Sequence, residues 1–300
     1  MHGKKLLQYF LISFIIFSSI TSCEKTGTTF GPPGVLIIPP SQTLPEISLY
    51  NVSYGSDPLQ KLDIHLPQGR DVLNTPLLIM VHAGQWMSGD KSDMNGYHSW
   101  LKAQLPGWAF ASINYRLVQP SSNKFPTQEQ DVEAAVNFLV NMADSFKISR
   151  KFAVLGESAG GQLALLVANK MGKQKIKVGI GIGVPSNIED WYQNPINAAT
   201  RPLLENVTGG TPLQFPFIYQ NATVYNFISG NSPKTFLIHG RGDGVIPVSH
   251  SISLAEKINI SGPETTLLIL ENESHNFTSA GQVIIYNAII SYLKNPNLFR

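Results

Sequence analysis

The sequence predicts an α/β domain: a mostly parallel central sheet with helices on both faces and a small insertion at one end. Three observations lead there. Beyond Glu46, short β-branched runs alternate with longer stretches of helical period, the pattern of strand–helix–strand units. The runs Leu77–Val81 and Phe152–Leu155 are continuously apolar, as strands buried on both faces must be. Between 185 and 233 the pattern dissolves into prolines, glycines and aromatics without a sheet element, and so long a stretch in a compact domain is a candidate for function.

Composition sets the outer limits. With 43% hydrophobic and 10% aromatic side chains over 300 residues, the chain can bury a sizeable core and cannot be disordered. Charged residues are only 14%, and 22 Lys+Arg against 20 Asp+Glu leave a formal charge of +2, so the basic surface that nucleic-acid binding needs is missing. The single cysteine, Cys23, excludes an internal disulfide, a zinc ribbon and a CxxC redox pair.

In chain order, His2, Lys4 and Lys5 precede an apolar run from Phe10 to Phe17, which gives way to Ser18, Ser19, Thr21 and Ser22. Residues 1–22 therefore read as a secretory signal, too short and wrongly flanked for a membrane span. Cys23 directly follows Ile20-Thr21-Ser22, which resembles the lipobox of bacterial lipoproteins. That resemblance implies an acylated Cys23 and an exported protein anchored by lipid to a bacterial membrane, in the periplasm or at the cell surface. Residues 23–45 read as a tether, because Pro32, Pro33, Pro39, Pro40 and Pro45 forbid a helix.

The folded body spans 46–300. Strands are predicted at Ile47–Tyr54, Lys61–His65, Leu77–His82, Ala109–Asn114, Phe152–Leu155, Val178–Gly183, Thr235–His239 and Thr265–Leu270, the first two as an antiparallel edge. Helices are predicted at Gln128–Phe146, Gly160–Lys170, Val248–Lys257 and Gln282–Leu293. The segment 185–233 is read as a cap-like insertion over one end of the sheet.

The chemistry concentrates at Gly156-Glu157-Ser158-Ala159-Gly160-Gly161, which follows a buried strand and opens a helix. That is the context of a nucleophile elbow, where a strained turn lifts the serine hydroxyl out beyond the sheet. A serine needs a base, and the base needs a partner to fix its tautomer. Only Asp190 and Asp243 follow Ser158, and Asp243 sits in a Gly-rich loop directly after a strand. His275 lies in the polar loop Glu271–Phe277 after the last strand, whereas His82 and His239 end strands and read as structural, and His250 falls within a helix. Ser158, Asp243 and His275 follow the chain order of this triad on an α/β-hydrolase sheet. The N–H of Ala159, at a helix start, supplies one oxyanion donor, and the second is expected from Val81–Trp86.

These residues, with Leu62-Asp63, Gly89-Asp90-Lys91, Asn114–Leu117 and Phe125-Pro126 leading into Asp131–Val136, resemble the α/β-hydrolase superfamily over most of residues 51–293. Within it the chain looks most like the carboxylesterase and lipase branch with an His-Gly-Gly-Gly-Trp oxyanion loop, including feruloyl and acetyl-xylan esterase-like members. The resemblance implies an α/β-hydrolase fold and places the remaining oxyanion N–H groups at Gly84 and Gln85. Ala83 and Gln85 replace two glycines of that loop. It also implies a serine hydrolase that cleaves short-chain or carbohydrate-linked acyl esters through an acyl-enzyme, with no metal and no cofactor. Asp90, Tyr115, Arg116 and Asp131 read as scaffold, and Glu157 as a hydrogen-bonding neighbour of the nucleophile. Gly179, Gly181 and Gly183 lack dinucleotide-binding spacing. The rival functions are amide hydrolysis, as a formamidase or exopeptidase, and a surface binding module without catalysis. Trp86, Trp191, Tyr192, Phe215 and Phe217 offer an alternative, aromatic-binding wall.

Overall fold

The computed structural model describes residues 43–299, so Cys23, the signal and all but the last residues of the tether lie outside the described residues. The eight strands are β1 (Ile47–Ser53), β2 (Lys61–Leu66), β3 (Leu77–Val81), β4 (Ala109–Ile113), β5 (Phe152–Glu157), β6 (Val178–Ile182), β7 (Lys234–Gly240) and β8 (Thr265–Leu270). They form one sheet in the order β1-β2-β4-β3-β5-β6-β7-β8. The β1–β2 and β2–β4 pairings are antiparallel and the rest are parallel, as the alternating first two runs led one to expect.

The pleat of the central strands explains the double covering. Leu77, Ile79 and Val81 of β3, with Phe152 and Val154 of β5, point into one core. Leu78 and Met80, with Ala153 and Leu155, point into the other. Adjacent residues of a strand face opposite ways, so a run apolar at every position serves two cores at once. The first core is completed by α2 (Thr127–Phe146), α3 (Ser158–Met171) and α7 (Ser249–Ser261), the second by α1 (Asn95–Gln104) and α8 (Ser279–Leu293).

Helix α1 was not anticipated from the sequence. Only Tyr97 and Leu101 of its ten residues are buried, an i, i+4 pair that does not raise a periodic signal above its polar neighbours. The segment 185–233 contains no strand, but it is more regular than its composition suggests. It folds as α4 (Ile188–Gln193), α5 (Thr200–Thr208), α6 (Pro216–Ala222) and a 3-10 turn at Val224–Phe227. These elements hold the loop after β4 and the helix after β5: Phe125 N–H donates to Val207 O at 2.9 Å, and Gln162 Nε2 donates to Ala222 O at 2.7 Å.

Candidate active site

Strand register brings the chemically active loops together. Val81 pairs with Gly156, Glu157 with Ile182, Ile182 with Ile238, and Gly240 with Leu270. The loops that follow β3, β5, β7 and β8 therefore leave the sheet along the same carboxyl edge, where open parallel sheets bind ligands.

Ser158 opens α3 with φ of +52°, in the left-handed region that a residue with a side chain occupies only at a cost of about 1–3 kcal/mol. Glycines make that turn possible by close approach. A Cβ on Gly156 would lie 2.2 Å from Gly160 O, and one on Gly160 would lie 2.2 Å from His82 O and 2.3 Å from Val81 O. The start of α3 is thus pressed directly against the backbone that leads into the loop after β3.

His275 joins the other two residues. Its Nε2 is 3.1 Å from Ser158 Oγ and its Nδ1 is 2.7 Å from Asp243 Oδ2. The loop carrying His275 is clamped to the end of β7 by Arg241 N–H to Leu270 O and Gly242 N–H to Glu273 O, each 2.9 Å. An exposed two-pronged pair between Arg241 and Glu271 adds to this clamp. The Asp243 side chain is fully buried. Burial opposes its charge, but hydrogen bonds from His239, His275 and the Ile246 N–H outweigh that and hold its carboxyl well below the usual range. It is an anion aimed at the far side of the imidazole.

The loop Gly84–Trp86 is wound left-handed at three successive residues, with φ of +110°, +54° and +61°. Gly84 cannot carry a side chain there, since a Cβ would meet Ser88 O at 2.0 Å. Among the described residues, the N–H groups of Gly84 and Gln85 have no hydrogen-bond partner, and that of Ala159 sits in the first turn of α3, where helices have none of their own. The Gln85 side chain points to solvent.

Asp90, Tyr115, Arg116 and Asp131 brace this edge. Asp90 caps the 3-10 turn at Lys91–Met94 and accepts from Asn114 Nδ2 at 2.8 Å. Burial works against its charge, and those hydrogen bonds bring its pKa down to about 2. The Tyr115 ring stacks on His82 at 4.3 Å and its hydroxyl donates to His82 O. Arg116 and Asp131 form a two-pronged pair at 2.8 and 2.6 Å. Glu157 accepts from Tyr97 OH at 3.3 Å, and burial pushes its carboxyl above the usual range.

The five aromatic residues do not form one wall: Phe215 and Phe217 are exposed on the insertion, and the other three pack inward. Trp86 and Trp191 are 3% and 2% exposed, in the core, and Tyr192 packs its edge on Tyr219 and donates to Glu205. His250 faces the core, where burial lowers its pKa to about 4. His239, read from the sequence as structural, is buried against Asp243, with Nε2 3.1 Å from Oδ2. A histidine four residues before an aspartate is the one sequence signal that could have flagged this contact. Among the described residues no cluster of His, Cys, Asp and Glu could hold a metal ion, and no helix is long and apolar enough to cross a membrane.

Comparison with known proteins agrees with this fold. The family model BD-FAE matches residues 62–258. The esterase LipC of Mycobacterium tuberculosis is 28% identical over 240 residues, which is 75% of this chain. This chain spans 59% of the length of LipC and 51% of that of LipM, a probable carboxylic ester hydrolase of the same organism. Among solved structures, a truncated carbohydrate esterase from gut microbiota superposes with a TM-score of 0.68 at 20% identity, over 84% of this chain and 99% of that one. An acetyl ester-xyloside bifunctional hydrolase from Caldicellulosiruptor lactoaceticus superposes with a TM-score of 0.65 at 20% identity, over 78% and 88%. At such identities the structural likeness establishes the fold, which is that of the α/β-hydrolases.

Proposed function

The chain belongs to the BD-FAE family, and from that premise we propose that it is a serine hydrolase cleaving carboxylic esters through an acyl-enzyme. The observation that carries the proposal is the contact series Ser158 Oγ, His275 Nε2, His275 Nδ1, Asp243 Oδ2, at 3.1 and 2.7 Å. Ser158 attacks the acyl carbon while His275 takes its proton. The tetrahedral oxyanion is met by the N–H groups of Ala159, Gly84 and Gln85. Collapse expels the alcohol, which receives the proton from His275, and a water repeats the sequence to release the acid. Buried Asp243 holds the imidazole in the tautomer whose Nε2 can accept.

We further propose short-chain or carbohydrate-linked acyl esters as substrates. The support is in the names of two of the similar structures, a carbohydrate esterase and an acetyl ester-xyloside hydrolase, while LipC is named as an esterase only. Attachment at Cys23 would hold the domain at a membrane surface. The test is a panel of p-nitrophenyl esters of graded chain length beside acetylated and feruloylated glycans. Acetate and butyrate are expected to outpace palmitate, and preference for palmitate overturns the short-chain reading.

A further inference from the structure

We infer that His239 is a positioning residue for the catalytic group, acting through Asp243. The inference rests on the triad reading above. His239 is the penultimate residue of β7 and is 0% exposed. Its Nε2 faces two oxygens at 3.1 Å, Asp243 Oδ2 and the carbonyl of Ile246, and neither oxygen can donate in that state. Nε2 therefore carries a proton. At the other side of the ring, Nδ1 is 2.7 Å from the hydroxyl of Ser251, itself fully buried in the first turn of α7. Both ring nitrogens are used, and the ring has a fixed orientation.

The consequence falls on Asp243. Its Oδ1 accepts the N–H groups of Val245 and Ile246, both at 2.8 Å, and its Oδ2 accepts from His275 and takes a share of the His239 Nε2–H, which also serves the Ile246 carbonyl. Four donors occupy the roughly four acceptor directions that a carboxylate offers. Three of them come from β7 and its own loop, and only the fourth is the catalytic base. His239 is the donor that shares Oδ2 with that base, so it decides where Oδ2 points and how much of its charge the His275 N–H sees. Without it, Oδ2 has one donor instead of two and the carboxylate can rotate out of line with the imidazole.

Charged and titratable groups around this assembly are few. Asp243 is faced by His239 and His275, with His250 of α7 beyond, and His275 is faced also by Ser158 and Glu157 at the start of α3. Removing His239 leaves a more basic Oδ2 that holds the His275 proton more tightly. The acid limb of kcat/KM then moves to higher pH.

The test compares His239→Phe, His239→Gln and Ser251→Ala with the wild type on p-nitrophenyl acetate. His239→Phe is expected to lower kcat about 10-fold, the share of one hydrogen bond to a charged group, with little change in KM. Its acid limb moves up in pH. His239→Gln, whose amide N–H can reach the same oxygen, should recover most of that loss, and Ser251→Ala should show a smaller loss of the same kind. A ¹⁵N spectrum of the wild-type imidazoles should show His239 protonated at Nε2. Wild-type kcat and pH profile in His239→Phe, or Gln no better than Phe, overturns the inference. If His239→Phe does not fold, an unchanged Ser251→Ala or a His239 bare at Nε2 overturns it. Ser158→Ala separates the two readings: if it retains activity the triad itself is wrong, and if it is inactive while His239→Phe is normal, only the role of His239 is wrong.

Discussion

Gly160→Ala tests the packing on which the site depends. A Cβ at this position would lie 2.2 Å from His82 O and 2.3 Å from Val81 O, where real Cβ contacts essentially never fall below 3.0 Å. The start of α3 and the end of β3 must separate by at least 0.8 Å, the difference between 3.0 and 2.2 Å. Both obstructing atoms are backbone in strand-linked chain, so neither can swing aside. Overpacking of this size costs about 1–3 kcal/mol, which for a domain of this length is roughly 2–10 °C in Tm. The same separation moves Ala159 N–H away from Gly84 and Gln85, and a displacement near 1 Å at a reacting centre costs on the order of 10²-fold. Thermal unfolding and kcat on p-nitrophenyl acetate are the two measurements. Gly107→Ala, where a Cβ meets nothing within 4 Å, is the control and should stay within about 0.5 kcal/mol of the wild type. A Gly160→Ala enzyme with wild-type Tm and a kcat within threefold would refute the claim that this contact sets the geometry of the oxyanion loop.

Ser158→Ala or His275→Ala alone should lower kcat by on the order of 10⁴- to 10⁶-fold, and the double variant little further; additive losses would show that the two do not act as a unit. Asp243→Asn should cost somewhat less or about as much, read in the same assay. Folding stability should fall with acid, because buried His250 titrates near 4 when folded against about 6.5 when unfolded. The unfolded chain takes up a proton that the folded one refuses, so stability is complete above about 6.5 and is lost toward about 4, by at most roughly 3 kcal/mol. The urea midpoint of His250→Phe should depend on pH less steeply than that of the wild type over this window, and equal slopes would contradict the assignment. A fatty-acid analogue should label the wild type in a bacterial host and leave Cys23→Ala unlabelled, with equal labelling ending the lipoprotein reading.

The parts of this protein that were legible in sequence are those whose physics is local. A strand buried on both faces must be apolar at every position, so Leu77–Val81 and Phe152–Leu155 announced themselves. The elbow needs glycines within three residues of the serine, so Gly156, Ser158 and Gly160 identified the turn before its φ was known. What stayed hidden depends on tertiary partners. Helix α1 shows two buried side chains to the sheet, α5 is disguised by Pro202, and α6 opens on Pro216 after Phe215, so composition alone read them as loop. The aromatic wall failed for a related reason: Trp86 and Trp191 are aromatic because the core needs filling, and nothing in their sequence neighbourhood says which way they point.

That filling has a function of its own. Ser158, Gln85 and Trp86 all hold positive φ, each costing about 1–3 kcal/mol, and strained turns persist only where surrounding structure over-determines them. The structure supplies that restraint through one chain of contacts. Trp86 is buried and donates from Nε1 to Gln162 Oε1 at 3.0 Å, and Gln162, one turn into α3, donates to Ala222 O of α6. The oxyanion loop, the elbow helix and the insertion are thereby tied through two side chains that touch no substrate. The insertion is then more than a cover, because removing its hold on Gln162 would release the residue that keeps Trp86, and with it Gln85, in a conformation the chain does not otherwise favour. Loops carry the chemistry here, and the stiffness of those loops is set by packing between helices that the sequence did not reveal.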